Sequence, residues 1–568
     1  MTLWLTEIHY HFPIPNGTLV LFLYWETSSM KRLFILGSLA GAALLTACGG
    51  GDAPANLGTV DTAPVRGSLI QSPPPRTAFF TAADFAAKLN GNATGRGLVA
   101  VAGAPKCGVD VQYIKYGTVG GAGEPTTATG ALMTPNGGDG CTGNRPVVLY
   151  AHGTTVTKSF NLANVLDESN AAYGEAILLA AMYAAQGFIV VAPNYAGYDA
   201  SSLSYHPYLN ADQQSKEMID ALGAARKALP GLLQPVQDSG KLFITGYSQG
   251  GHVAMATHRA MQAAGLPVTA SVPMSGPYAL AAFNDAVYLG NVNLGSTLFS
   301  PLLITSYQKT YGNLYSKLTD IYEPAYAAGI DTLLPTDLSV ASLLAPGGKL
   351  PQTAFFNKIP PTAPPNSPPI LQATLNAISP PTTPPALAPL FALGFGANNL
   401  ITNEARLAYL LDAFANPDGA VPALTTGVPA ANPTNSLRIA VKKNDLRNWT
   451  PARPVLLCGG SGDPTVFYSA NTQLMQGYWS SPSPAAPPAG LVNVLNVDSA
   501  PASAADPYAA VKAGFSQAKA ITATAAVNAG ASDGGAAAVT QSYHGSLVPP
   551  FCNVAARGFF QQVLGAGL

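Results

Sequence analysis

The stretch Lys241-Leu242-Phe243-Ile244-Thr245-Gly246-Tyr247-Ser248-Gln249-Gly250-Gly251 decides the fold. Residues 241–246 form a β-rich run, and a helical pattern over Gln249–Ala264 begins at once behind them. Glycines two before and two after Ser248 leave room for a tight, strained strand-to-helix turn, which lifts the serine hydroxyl clear of the backbone. The same turn sets the backbone N–H of Gln249 at a helix N-terminus beside that hydroxyl, where it can face a developing oxyanion. The segment thus predicts an open, mostly parallel sheet with a nucleophilic serine above it.

Working outward, β-rich runs recur at Val109–Tyr116, Thr126–Met133, Pro146–Ala151, Phe188–Pro193, Lys241–Gly246, Val268–Met274, Pro454–Gly459 and Val492–Val497. The first two flank the glycine-rich Gly117–Gly123, which reads as a hairpin loop; a phosphate-binding loop would be followed by a helix. Helical patterns then fill the intervals at Leu162–Gln186, Ala211–Leu229 and Gln249–Ala264. Two antiparallel strands followed by strand–helix alternation predict an α/β fold with helices on both faces. The uninterrupted apolar runs at 147–150 and 188–191 suit strands buried on both sides. Between 276 and 453 no strand run is visible, and residues 351–389 are proline-rich. A structureless loop of that length is improbable, so 276–453 is expected to be a cap inserted after the sixth strand. The core then comprises 79–275 and 454–568.

The leader is informative. Residues 1–29 match no targeting pattern, whereas Met30 is followed by Lys31, Arg32 and the uncharged apolar stretch Leu33–Ala47, the layout of a signal peptide. It ends in Leu45-Thr46-Ala47-Cys48, which resembles the bacterial lipobox, whose cysteine becomes the lipidated first residue of the mature protein. Translation is therefore expected to start at Met30, with 30–47 removed and 48–78 acting as a tether that includes Gly49-Gly50-Gly51 and Pro73-Pro74-Pro75. The expected location is the cell envelope, lipid-anchored or secreted; Gly49, where an Asp would signal inner-membrane retention, favours the outer membrane or cell surface. Four cysteines remain, an even number for an oxidising compartment. Of three possible pairings, Cys107 with Cys141 and Cys458 with Cys552 is preferred, because each would close a segment that begins and ends near the same part of the sheet.

Serine needs a base. Among the seven histidines, His9 and His11 fall in the leader. His252 and His258 lie along the helix that starts at the serine and point into the structure; His206 precedes a helix and suits a loop anchor; His152 suits a local bond. His544, after the last strand and before the final helix, remains as the base. The orienting acid should fall between Ser248 and His544 in the chain. Asp463, at the tip of Gly459-Gly460-Ser461-Gly462-Asp463 behind a buried strand, fits; Asp498 is the runner-up, and Asp445 comes too early. A second oxyanion donor is expected from Gly153, which follows the third strand, with Thr154 as the alternative. No metal or organic cofactor is implied, since no spaced Cys or His cluster exists to hold one.

With these residues in place, the chain resembles the α/β-hydrolase superfamily and, within it, the secretory lipase family of lipase-A-like enzymes. The likeness rests on His152-Gly153-Thr154-Thr155, Ala192-Pro193-Asn194-Tyr195-Ala196-Gly197-Tyr198, His206-Pro207-Tyr208-Leu209, Gly246 to His252, Asn444-Asp445 ahead of Trp449, and the order Ser248, Asp463, His544; it covers about 105–275 and 440–565. It implies an eight-stranded, mostly parallel sheet and hydrolysis of carboxylic esters through a Ser-Asp-His triad. One departure stands out: the stretch between Asp498 and His544, usually a short loop, must hold either an alanine-rich helical insertion or a last strand at Ala536–Gln541.

Composition agrees. Charged residues make up 10% of the 568, well below the usual ~25%, and 28 Lys and Arg against 29 Asp and Glu leave a net charge of −1. Nucleic-acid binding, which needs a cationic surplus to displace counterions, is excluded. A neutral chain suits neutral ester or lipid substrates and a membrane reached through an N-terminal lipid. The apolar cap favours acyl chains, so lipase or carboxylesterase leads, with a polyhydroxyalkanoate-type polyester depolymerase close by. A peptidase of the same fold would need a charged group to read a peptide terminus. A non-catalytic envelope lipoprotein would have no use for the three site residues together. The sequence sets no oligomeric state.

Overall fold

The structure, a computed structural model, describes residues 63–233, 235–480 and 483–566. The expected start at Met30, the leader and Cys48 lie outside these residues. Among the described residues the sheet has nine strands: β1 (Arg76–Phe80), β2 (Gly108–Val119), β3 (Pro125–Asn136), β4 (Gly143–Ala151), β5 (Ile189–Pro193), β6 (Val236–Tyr247), β7 (Ala270–Met274), β8 (Val455–Gly459) and β9 (Val492–Asn496). They lie in the order β1-β2-β3-β5-β4-β6-β7-β8-β9. The first three pairings are antiparallel and the remaining five parallel. β4, β5 and β6 are buried throughout their central residues, Val147–Leu149, Ile189–Val191 and Leu242–Ile244, as strands covered on both faces must be.

The expected eight strands are corrected to nine. β1 pairs with β2 from Arg76, and Gly67 N–H already bonds Gly117 O at 2.9 Å, so the chain packs on the sheet well before the expected end of the tether at 78. The preceding prolines masked this short edge strand. The helix expected over Leu162–Gln186 is also shorter. After α1 (Ala82–Asn90) and α2 (Ala93–Ala102), α3 spans only Tyr173–Met182. The residues ahead of it are held in a loop by side-chain amides: Asn194 Oδ1 accepts from Leu162 N at 2.8 Å, and Asn170 Nδ2 donates to Asn161 O and Asn164 O at 2.7 and 2.9 Å. Such bonds offer the backbone an alternative to helix. The other two helices form as read, α4 at Ala211–Ala228 and α5 at Gln249–Ala263.

The stretch before His544 resolves into helices at Ala509–Asn528 and Ala536–Ser542, so Ala536–Gln541 is not a strand. Both disulfides pair as expected, Cys107 with Cys141 and Cys458 with Cys552. Between β7 and β8 the chain leaves the sheet for a helical insertion that begins with α6 (Leu280–Tyr288) and α7 (Ser296–Tyr311) and has its own apolar cluster around Leu302, Phe356, Leu400 and Tyr409. Its two ends meet: Leu446 N–H bonds Tyr278 O, and Ala281 N–H bonds Asp445 Oδ2, both at 2.9 Å.

Candidate active site

Ser248, His152 to Thr155 and Asp463 all follow the C-terminal ends of parallel strands β6, β4 and β8, the end of an open α/β sheet where ligands are placed. At the centre β6 runs into α5 with a single residue between them. That residue, Ser248, sits at φ 60° and ψ −121°, a conformation an L-residue keeps only when its surroundings impose it. They do so here. Ser248 N–H bonds Met274 O at the end of β7, 2.9 Å away. A Cβ on Gly250 would lie 1.9 Å from Ala151 O, and one on Gly246 2.5 Å from the same carbonyl, so β4 passes too close for any side chain at either position.

His544 stands in the turn Tyr543–Leu547 that leads into the final helix. Its Nε2 is 2.8 Å from Ser248 Oγ and its Nδ1 2.6 Å from Asp463 Oδ2. The buried carboxylate can only accept, so Nδ1 carries the ring proton and Nε2 accepts from the serine hydroxyl. Asp463 is itself oriented, its Oδ1 accepting N–H bonds from Thr465 at 2.9 Å and Val466 at 3.0 Å. The Cys458–Cys552 bridge ties the end of β8, just before the Asp463 loop, to the helix that follows His544. Tyr247 OH donates to His544 O at 2.6 Å and steadies the base from the nucleophile's side.

Around the serine the expected donors divide. Gln249 N–H occupies the first turn of α5. Gly153 faces the turn, its missing Cβ position 3.9 Å from Ser248 Cβ, but its N–H donates to Glu175 Oε1 at 3.3 Å and so is turned away from the serine. This corrects the assignment of Gly153, whose N–H is committed to Glu175. Glu175 also accepts from Tyr150 OH at 2.8 Å, and burial raises its pKa.

Asp498 does not reach His544. It takes the hydroxyl of Tyr543 at 2.6 Å and pairs with Lys519. The four other described histidines are buried, and none bonds Ser248 or Asp463. His252 Nε2 faces Asn444 O at 2.9 Å, and His258 Nδ1 faces Ser271 Oγ at 2.7 Å. His206 donates from Nδ1 to Ala196 O at 3.0 Å and accepts from the Gln249 side-chain amide at 2.7 Å, behind the nucleophile. His152 lies between Gly153 O and Asn194 O and stacks on Tyr195 at 4.0 Å. Burial lowers all four, His206 to about 3 and the others to about 4, so each is neutral.

Three contributors escaped the sequence reading: Glu175, Tyr247 and Tyr543. A signal existed for the first, the single charge in the otherwise apolar α3. The insertion contacts both working loops. Leu294 N–H bonds Pro464 O at 3.1 Å beside the acid, while Thr336 N–H bonds Val156 O at 2.7 Å and Lys158 N–H bonds Thr336 O at 2.9 Å beyond Thr154.

The sequence pattern of the prolyl oligopeptidase family (peptidase S9) matches residues 177–268, from α3 to the approach to β7. Among solved structures, a ligand-bound form of the rice cell wall degrading esterase LipA from Xanthomonas oryzae is similar with a TM-score of 0.58 and 23% identity, covering 89% of this chain and 100% of that one. Another crystal structure of that esterase gives 0.54 and 26% identity over 80% and 96% of the two chains. Candida antarctica lipase A reaches a TM-score of 0.39 at 12% identity over 76% of each chain, too weak a likeness to carry an argument. Among curated proteins none matches the chain. The nine-stranded, mostly parallel sheet and its likeness to the Xanthomonas esterase structures give the protein the α/β-hydrolase fold.

Proposed function

We propose that the protein is a serine hydrolase of carboxylic esters. The observation that carries this reading is the unbroken hydrogen-bonded line from Asp463 through His544 to Ser248, 2.6 and 2.8 Å long, at the apex of a strained strand-to-helix turn. His544 Nε2 takes the proton of Ser248 as Oγ attacks the ester carbonyl, and Asp463 stabilises the imidazolium. The N–H groups of Gln249 and Thr154 receive the oxyanion. His544 then protonates the departing alcohol, and in the second half takes a proton from water as it attacks the acyl-enzyme, releasing the acid and restoring the serine. The apolar insertion, hydrogen-bonded to the loops beside Asp463 and beyond Thr154, and the neutral composition suit acyl esters, and the esterase name of the Xanthomonas neighbour supports the same class. A peptidase reading draws on the prolyl oligopeptidase match, but residues 177–268 contain Ser248 and neither Asp463 nor His544, so the match reports scaffold rather than substrate.

Hydrolysis of p-nitrophenyl esters of increasing acyl length by wild type and Ser248→Ala tests the proposal. The variant is expected to lose activity by about 10³-fold or more with its fold intact. Equal activity in the two would end the assignment. The chain-length profile separates esterase from lipase, and turnover of a polyhydroxyalkanoate film against a peptide anilide separates the two alternatives.

The proposal extends to location: a diacylated Cys48 anchors the mature enzyme in the cell envelope, where the oxidising milieu suits both disulfides. Cys48→Ser is expected to move esterase activity from the membrane fraction to the soluble fraction. Wild-type protein already soluble in its own cells would overturn the anchor.

A further inference from the structure

Asp498, passed over for the acid, occupies a second hydrogen-bonded line beside the first. Tyr543 OH donates to Asp498 Oδ2 at 2.6 Å and accepts the N–H of Gly462 at 2.9 Å. Tyr543 immediately precedes His544, and Gly462 immediately precedes Asp463. The contact between residues 462 and 543 therefore runs alongside the contact between 463 and 544 and sets the same two loops against each other. The glycines of the acid loop follow from it. A Cβ on Gly460 would stand 2.5 Å from Tyr543 Oη, and one on Gly462 2.9 Å from the Tyr543 ring and 3.2 Å from Asp498 Oδ2. That loop is bare because the phenol lies on it. Lys519, from the helix Ala509–Asn528 that lengthens the chain before His544, pairs with Asp498 and fixes the carboxylate in turn.

We infer that Asp498 and Tyr543 are positioning residues for the Asp463–His544 pair, and that the helical insertion before His544 serves to hold them. The Tyr543 hydroxyl has one proton. Committing it to Asp498 leaves its lone pairs for the Gly462 N–H, so the carboxylate decides which way the phenol is polarised and thereby where the acid loop rests. Tyr543 is buried, and its ring meets the edge of Phe515 from the same helix at 5.5 Å, so it has little freedom to find another partner. Misplacement by a fraction of an ångström at this remove is felt in turnover rather than in binding.

This inference rests on the proposed ester hydrolysis, and the experiment separates the two. Tyr543→Phe, Asp498→Asn, the double variant and Ser248→Ala are compared on one p-nitrophenyl ester, with thermal unfolding recorded for each. Tyr543→Phe and Asp498→Asn are each expected to lower kcat about tenfold with KM within about twofold. The double variant should fall no further than the worse single one, because both break one line. Asp498→Glu should recover part of the loss. Activity retained by Ser248→Ala overturns the ester-hydrolase reading. Activity lost there but wild-type kcat in Tyr543→Phe and Asp498→Asn, or losses that multiply in the double variant, overturns the positioning role alone. Tyr543→Phe removes one oxygen from a buried ring and keeps its packing, so a folded variant is available even where Asp498→Asn proves unstable.

Discussion

The sheet and the helical insertion keep their interiors in order by different means. Around the sheet the buried histidines are neutral: His152, His206, His252 and His258 are all buried and all uncharged. In the insertion the buried groups include three arginines and four aspartates. Arg438 binds Asp285 through two nitrogens at 3.0 and 2.8 Å and Asp412 at 2.9 Å. Arg447 binds Asp418 at 2.7 and 3.0 Å and Asp445 at 2.9 and 3.0 Å. Arg406 lies buried against the faces of Phe356 and Phe395, at 4.3 and 5.1 Å, with the carbonyls of Ile378 and Tyr288 and the hydroxyl of Ser379 as partners. The backbone explains the difference. In the sheet, ladder hydrogen bonds fix the direction of each strand whatever its side chains do. The insertion has short helices, proline-rich loops and only isolated bridges, so its segments are oriented by forked, directional guanidinium bonds.

The contrast is broken most severely at Arg447. Its side chain is fully buried between two carboxylates that are also buried, and Asp445 additionally receives Ala281 N–H where the two ends of the insertion meet. Arg447→Met would strand both aspartates, and breaking a buried pair from one side costs about 3–5 kcal/mol. The urea midpoint of the variant is expected to fall accordingly, and the hydrogen bonds between the insertion and the Asp463 loop should loosen with it, so esterase activity should decline at temperatures where the wild type is stable. A loss under about 1 kcal/mol would show that the apolar cluster alone organises the insertion.

The same contrast explains what could be read in advance. The sheet was legible because two-sided burial leaves a pattern in consecutive residues: Val147-Val148-Leu149 and Ile189-Val190-Val191 name their strands, and Gly246, Ser248 and Gly250 name the turn. Asp463 and His544 followed from chain order and from their places beyond strand ends. The missed parts are those whose cause lies elsewhere in the chain. Gly153 was read from its lack of a side chain, yet its N–H is claimed by Glu175, a residue of the next helix. β1 is an edge strand defined by its pairing to β2 rather than by its own pattern. The insertion's architecture depends on ion pairs between residues as far apart as Asp285 and Arg438, and no local signal announces those.

A smaller effect sharpens the comparison at a single residue. His258 is buried, with Nδ1 on Ser271 Oγ, Nε2 unpartnered and the edge of Trp449 at 5.1 Å; burial first, and the charge of Arg453 second, lower its pKa from 6.5 to about 4. Between pH 6.5 and about 4 the unfolded chain therefore holds a proton at this site that the folded protein lacks. Stability from this group is complete above 6.5 and is lost as pH falls toward 4, by up to about 1.4 kcal/mol per unit. His152, His206 and His252 act in the same direction, whereas the arginines of the insertion keep their charge throughout this range, and the pKa values of Arg438 and Arg447 are raised further by their carboxylates. His258→Gln retains a side chain able to bond Ser271 and cannot titrate. Its urea midpoint is expected to fall less steeply than that of the wild type between pH 7 and pH 5, while Arg447→Met should leave the wild-type slope unchanged and lower the whole curve. Parallel curves for wild type and His258→Gln would mean that the interior around the nucleophile is not held by neutral histidines, and the distinction between the two regions would then rest on the ion pairs alone.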